Sequence, residues 1–116
     1  MIDSRIRGLY KLPVARRIAH LEELGWLAAA DARMLRGGHH VLSVGAADRM
    51  IENVIGVFGL PLAVAPNFLV DGRDCVVPLV VEEPSIVAGL SAAAAIARAS
   101  GGFEVGNAES LLTGQI

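Results

Sequence analysis

The chain is 116 residues long, carries a net charge of −2 and contains a single cysteine. This charge gives no reason to expect nucleic acid or an anionic membrane as a partner. One cysteine excludes an intrachain disulfide, which fits a reducing, cytoplasmic setting. Hydrophobic residues make up 53% of the chain, although only 4% is aromatic. Because a small domain leaves much of its surface in water, we expect a partner subunit or further chain to cover part of this apolar surface.

The longest charge-free run, residues 53–70, lacks the character of a membrane span. Gly56, Gly59, Pro61 and Pro66 interrupt it. Such residues are typical of loops and strand edges rather than of a spanning helix. We therefore expect no membrane segment in this run.

Three helices are predicted in the first half of the chain. Residues 13–24 place apolar side chains at helical spacing, with Pro13 suited to the first turn and Gly25 to the end. A shorter helix is predicted at about residues 28–35, and a third at residues 46–55.

A β-hairpin is the clearest local prediction. Strand-like runs at residues 62–70 and 73–81 flank the dipeptide Asp71-Gly72, which favours a type I′ turn. Each run contains a proline, which predicts an edge or an irregular pairing at that point.

The segment that follows completes the predicted fold. Residues 76–81 are predicted to form a buried strand. A helix rich in small side chains, which other backbones can approach closely, is predicted from Pro84 to about Ala99. Residues 103–105, "FEV", are predicted as one more short strand. The predicted class is α+β, with N-terminal helices, a β-hairpin and a buried apolar helix.

Two adjacent glutamates, Glu82 and Glu83, stand between the apolar strand and the apolar helix. The positive end of the helix dipole stabilises their charge, whereas burial and mutual repulsion favour protonating one of them. A carboxyl caught between these effects can hold a proton near neutral pH and pass it on. Two interpretations stay open: a proton-transferring group, or two water-exposed residues that favour a helix start.

Other candidate residues have simpler interpretations. The adjacent histidines His39 and His40 lack a further ligand at metal-binding spacing, so no metal site is predicted. Cys75 within a strand pattern indicates a core residue, and the glycines of "GGFEVGN" lack the spacing of a phosphate loop. Asn53, in an otherwise apolar stretch, is either a buried amide that a ligand could satisfy or a helix-end cap.

Two motifs carry a specific resemblance to a known family. "ENVIG", residues 52–56, and "PLVVEEPSIVA", residues 78–88, match sequences typical of 3-hydroxy-3-methylglutaryl-CoA (HMG-CoA) reductases. Residues 50–103 resemble the N-terminal part of the bacterial class II, or degradative, form. The opening "DSRIRGLYKLPVARRIAHLEELG" is similar to the class II start, so the resemblance covers nearly the whole chain.

The resemblance implies an oxidoreductase. Family members interconvert HMG-CoA with mevalonate and CoA through two hydride transfers with a nicotinamide cofactor, NAD or NADP. Class II members are commonly NAD-dependent and can run in the oxidative direction. They are homo-oligomers, dimers or larger, with active sites between subunits.

The resemblance also implies roles for single residues. Glu83, immediately before the proline of "EEPS", corresponds to the family's catalytic glutamate, which gives a proton or a strong hydrogen bond to the thioester-derived oxygen and to the aldehyde intermediate. Ser85 corresponds to a position that contacts the HMG portion. Asn53 and Glu52, in "ENVIG", correspond to a segment near the substrate and the subunit interface.

The family's catalytic lysine, aspartate and histidine and its dinucleotide-binding segments lie downstream, and none occurs before Ile116. Residues 1–108 are therefore expected to form the first part of the large, HMG-CoA-binding and dimerisation domain, and residues 109–116 the start of the small cofactor-binding domain. The chain alone is expected to be inactive. The alternative is a short non-catalytic chain that acts only by association, as a dimerisation or interaction module.

Overall fold

The computed structural model describes residues 2–39 and 41–106. A 3-10 turn, Leu9–Lys11, precedes three helices and a two-stranded sheet, and a fourth helix follows the sheet. This mixture confirms the α+β class. The helices are α1 (Val14–Glu23), α2 (Ala29–Arg36), α3 (Val44–Ala47) and α4 (Ile86–Ala99), and the strands are β1 (Leu62–Val70) and β2 (Arg73–Val80).

Helices α1 and α2 begin and end within about a residue of their predicted bounds. Pro13 lies at the N-cap of α1, and Gly25, with φ 79°, takes the chain out of the helix. The apolar side of α1 contributes Leu21 to a small core that it shares with Ile6 and Leu9. Half-buried residues from the turn before α1, the loop after it and the hairpin close this core: Leu12, Trp26, Leu27, Val64 and Val76.

The helix predicted at residues 46–55 is wrong in extent. Helix α3 covers only Val44–Ala47, and Ser43 caps it by accepting a hydrogen bond from the Ala46 N–H at 3.2 Å. Turns follow, and the chain is irregular from there to β1. The apolar side chains that suggested a longer helix, Ile51 and Ile55 among them, are exposed. A helix draws most of its stability from packing such a face, and the described residues offer this one nothing to pack against.

The hairpin forms as predicted. Strands β1 and β2 pair antiparallel across Asp71 and Gly72, whose φ values of 48° and 72° are those a type I′ turn requires. The register shifts between Ala65 and Phe68, so a bulge lies at the proline of β1. This confirms the irregular pairing that was predicted at that proline. The buried strand expected at residues 76–81 is only half-buried, since Val80 is 56% exposed.

Helix α4 packs against β1 through small side chains. Ala65 of β1 and Ala94 of α4 are both fully buried. The helix begins at Ile86 rather than at Pro84, because Ser85 adopts a left-handed conformation with φ 72°. The described residues cover this one side of α4 and leave its other side exposed: Ala88, Gly89, Leu90, Ala92, Ala93 and Ile96.

The chain returns to the sheet after α4. Phe103 forms a single parallel bridge to Val70 and stacks on Phe68, with ring centroids 5.5 Å apart. Gly102 packs so closely on β1 that a Cβ there would collide with the Leu69 carbonyl. The strand predicted at residues 103–105 is therefore reduced to one bridge.

Candidate functional site

The "EEPS" junction connects the end of the hairpin to α4. Glu82, Glu83, Pro84 and Ser85 are all exposed. The Val81 N–H donates to the Pro61 carbonyl at 3.2 Å, which holds the two ends of the hairpin together up to the residue before Glu82. The two carboxylates therefore project from an open turn at the edge of the described structure.

The backbone of this junction is unusual at Ser85. A left-handed conformation is uncommon for a residue with a Cβ, and it places Ser85 at the N-cap of α4 without a capping bond from its hydroxyl. The Ser85 carbonyl accepts the first helical hydrogen bond, from Gly89 N–H at 2.8 Å. The hydroxyl is consequently free to contact another group, and the helix N-terminus beside it favours negative charge.

Water reaches Glu83 freely in the described structure. A general acid works best in a site closed to bulk water, where its electrostatic interactions are strong. The described residues do not close the junction in this way.

Glu52 and Asn53 lie at the far end of the irregular segment that leads to Pro61. Both are exposed, and Asn53 has a φ of 56°, which asparagine tolerates better than most residues. Neither interpretation of Asn53 is met here: it is not a buried amide, and α3 ends several residues before it. Among the described residues, no hydrogen bond joins Glu52 or Asn53 to the two junction glutamates. Their segments meet through the contact between Pro61 and Val81.

The remaining sequence candidates form no second site. Residues 2–39 and 41–106 contain no group of three potential metal-ligating side chains. His39 is exposed, and His40 lies outside the described residues. Cys75 is half-buried in β2, with its thiol 3.6 Å from the Arg73 carbonyl.

The glycines after α4 do not fit a dinucleotide-binding loop. Such a loop opens a helix, so that the helix N-terminus meets the phosphates. Gly101 and Gly102 instead end α4, and Gly102 is used to approach β1. Among the described residues, these two glycines therefore form no phosphate-binding loop.

A buried polar cluster was not anticipated from the sequence. Ser4, Asp74 and Arg98 meet where the N-terminal segment, β2 and α4 converge. The available indication was Arg98, which is the only charged residue in α4. Asp74 follows Arg73 directly in β2 and gave no such indication.

The sequence of the chain matches one family throughout most of its length. The family described as hydroxymethylglutaryl-coenzyme A reductase matches residues 13–116. The chain belongs to this family. It is 48% identical over 115 residues to 3-hydroxy-3-methylglutaryl-coenzyme A reductase of Archaeoglobus fulgidus, a match that covers 99% of this chain and 26% of that protein.

Solved reductase structures match the fold of this reductase-family chain. The 3-hydroxy-3-methylglutaryl-coenzyme A reductase of Streptococcus pneumoniae superposes with a TM-score of 0.76 at 37% identity, over 84% of this chain and 23% of that one. A structure of the class II reductase from the same organism, bound to NADPH in open conformations, gives a TM-score of 0.75 at 37% identity, over 84% and 26%. The resemblance found in the two motifs is thereby confirmed.

Two further facts bear on this reductase-family chain. It spans about a quarter of the length of the relatives that it matches. Within residues 2–39 and 41–106, none of the helices combines the length and the apolar character needed to cross a membrane.

Proposed function

We propose that this chain forms part of the HMG-CoA-binding domain of a hydroxymethylglutaryl-CoA reductase. The reaction interconverts HMG-CoA with mevalonate and CoA through two hydride transfers. The observation that carries the proposal is the family match over residues 13–116, with the "EEPS" junction intact at Glu83. In this proposal residues 1–108 belong to the large domain. Residues 109–116 begin the cofactor-binding domain and lie outside the described residues.

Glu83 is assigned the role of proton donor. When hydride reaches the carbonyl carbon of the thioester, and later that of the aldehyde, the carbonyl oxygen gains negative charge and must take up a proton. The exposed position of Glu83 leaves its carboxyl free to reach such an oxygen. Ser85, at the start of α4, is assigned to the HMG portion, and Glu52 and Asn53 to the substrate side of a subunit interface.

In this proposal the hydride comes from a nicotinamide cofactor that is bound mainly by segments outside this chain. A structural neighbour from Streptococcus pneumoniae binds NADPH, which supports nicotinamide use, and NAD is the preference expected for this chain. Parallel assays with NAD and NADP in a polypeptide of the relatives' length decide between them. Turnover with neither cofactor contradicts the assignment.

The test of the proposal is Glu83→Gln in the full-length polypeptide, with Glu82→Gln as the matched control. General acid–base groups contribute roughly 10²- to 10⁴-fold to rate, so Glu83→Gln is expected to lower kcat by at least about 10²-fold. Light scattering is expected to show an unchanged oligomer, since the side chain stays isosteric. Glu82→Gln is expected to keep most of the activity. Near-normal mevalonate oxidation by the Glu83→Gln enzyme contradicts the assigned role.

A second candidate function is association without catalysis. The observation that favours it is the exposed apolar surface, which includes Ile55 at 104% and Phe58 at 88% relative exposure. Such a chain could pair with an intact subunit through these residues. A stable, monodisperse dimer of the isolated chain supports this candidate, whereas aggregation or partial unfolding supports a segment that needs the rest of a reductase.

A further inference from the structure

The N-terminal segment is attached to the hairpin through one fully buried residue. The Ser4 N–H and hydroxyl lie 2.8 Å and 2.7 Å from Asp74 Oδ1, and the hydroxyl is also 2.9 Å from the Phe68 carbonyl. The Ser4 carbonyl accepts from the Asn67 N–H at 2.9 Å. Every polar group of Ser4 is therefore satisfied by β1 or β2.

Helix α4 joins this cluster through its only charged side chain. Arg98 Nη1 donates to Asp74 Oδ1 at 2.7 Å and lies 3.2 Å from the Ser4 hydroxyl. The two charged side chains are only 17% and 13% exposed. An ion pair that also makes hydrogen bonds, largely shielded from water, is directional, and removing one partner leaves the other charge without compensation.

A second polar contact holds α4 further along its length. Asn67, at the bulge of β1, has φ 76° and donates from Nδ2 to the Ser91 carbonyl at 3.0 Å. Ser91 and Arg98 are seven residues apart in α4, which is about two turns, or roughly 10 Å. The helix is thus held to the hairpin at two points along its axis.

The fully buried apolar residues where α4 packs on β1 are the alanines Ala65 and Ala94. Hydrophobic burial is non-directional, and methyl groups offer little to resist sliding or rotation of a helix. A slide of one turn displaces the helix by about 5.4 Å, and a misplacement of about 1 Å at a reacting group can lower the rate roughly 10²-fold.

We propose that Arg98 and Asn67 are positioning residues for the reductase reaction. They set the position of α4 along the hairpin and so place the Glu83 junction, which α4 continues directly. The inference rests on the proposed function, since it acts through Glu83. Ser4 and Asp74 complete the Arg98 contact.

The test uses the full-length polypeptide and compares Arg98→Met with Arg73→Met, an exposed arginine in β2. Measured well below the unfolding temperature, Arg98→Met is expected to lower kcat at least tenfold and to change KM less than threefold. Arg98→Lys, which keeps the charge, is expected to recover much of the loss, and Arg73→Met to match the parent enzyme. A lower Tm with unchanged kcat in Arg98→Met overturns the proposal, because it shows a role in stability alone.

Asn67→Gly keeps the proposal testable if Arg98→Met does not fold. Glycine accepts the positive φ of this position, so the substitution removes the amide contact with Ser91 and leaves the backbone unstrained. We expect a kcat loss of at least threefold. Unchanged turnover in this variant overturns the role of Asn67.

A double-mutant cycle separates this inference from the proposed function. If α4 acts by placing Glu83, adding Arg98→Met to Glu83→Gln lowers kcat by less than threefold further, because the two effects share one group. Fully multiplicative losses overturn positioning through Glu83 while leaving Glu83 as the acid. Full activity of Glu83→Gln alone removes the proposed function instead.

Discussion

Asp3 and Asp74 are two carboxylates whose charge is stabilised by different surroundings. The Arg5 guanidinium, hydrogen-bonded to Asp3, lowers the pKa of that exposed carboxyl to about 2. Arg98 and then Ser4, as hydrogen-bond donors, hold the pKa of Asp74 well below its usual range. Exposed ion pairs contribute little to stability because water and salt screen them, so we expect Asp74 to contribute more to stability than Asp3.

The Asp74 cluster predicts a specific loss of stability in acid. Because the pKa of Asp74 is lower in the folded than in the unfolded chain, its stabilisation is present at neutral pH and is lost as the pH falls below about 4. Between pH 5 and pH 2 the Tm of the parent polypeptide is expected to fall more steeply than that of Asp74→Asn. The fall in Tm of Asp3→Asn over the same pH range is expected to differ little from that of the parent, and the difference is expected to vanish with added salt. Parallel slopes for the parent and Asp74→Asn contradict the prediction.

At the scale of single elements, the two short N-terminal helices begin differently. Ser43 caps α3 with its hydroxyl, whereas Ala28, the N-cap of α2, has no side-chain acceptor. Ala28 nevertheless has the extended backbone that an N-cap needs, with φ −67° and ψ 151°. The first N–H groups of α2 are therefore left to water where a hydroxyl could accept them.

The two caps predict that two single substitutions change the free energy of unfolding in opposite directions. Ala28→Ser is expected to stabilise the folded state by about 0.5 to 1 kcal/mol, because the new hydroxyl can accept a hydrogen bond from the first turn of α2. Ser43→Ala is expected to destabilise it by about 1 kcal/mol through loss of the bond to Ala46. Thermal unfolding of the two variants beside the parent measures both shifts. Equal Tm values would show that neither helix start limits stability.

At the scale of the whole molecule, the chain has more surface than a compact domain of its length. Its radius of gyration is 17.3 Å, against about 13 Å for a compact chain of this size. Its accessible surface is 9193 Å², against roughly 6,000 Å² for a folded monomer of this mass. Part of this additional accessible surface is apolar, and it includes the outer side of α4 and the irregular segment before β1.

This surface predicts the behaviour of the isolated chain. We expect it to bind a hydrophobic dye, to aggregate or partly unfold, and to show no turnover with NAD, mevalonate and CoA, because closure of the site and hydride transfer need groups outside it. Light scattering, dye fluorescence and the coupled assay measure these properties. A polypeptide of the relatives' length is the control and is expected to be active. Turnover by the 116-residue chain contradicts this expectation.

Much of the local structure could be predicted because its determinants are close together in sequence. Helices α1 and α2 follow from apolar spacing and from Pro13 and Gly25, and the hairpin follows from Asp71-Gly72. The helix expected at residues 46–55 failed because its larger apolar side chains, Met50, Ile51 and Ile55, stay exposed in the described structure. The strand expected to be buried at residues 76–81 is half-exposed for a similar reason.

The sequence by itself indicated the family, the order of the main elements and Glu83 as the proposed proton donor, because these follow from local pattern and from motif. Only the tertiary structure showed that Ser4, Asp74 and Arg98 meet, since these residues are 70 and 24 positions apart. It also showed that Ser85 is left-handed and that the described part of the chain leaves one side of α4 exposed. The physical reason is that hydrogen bonds and burial between distant segments depend on how elements pack, which no short window of residues specifies.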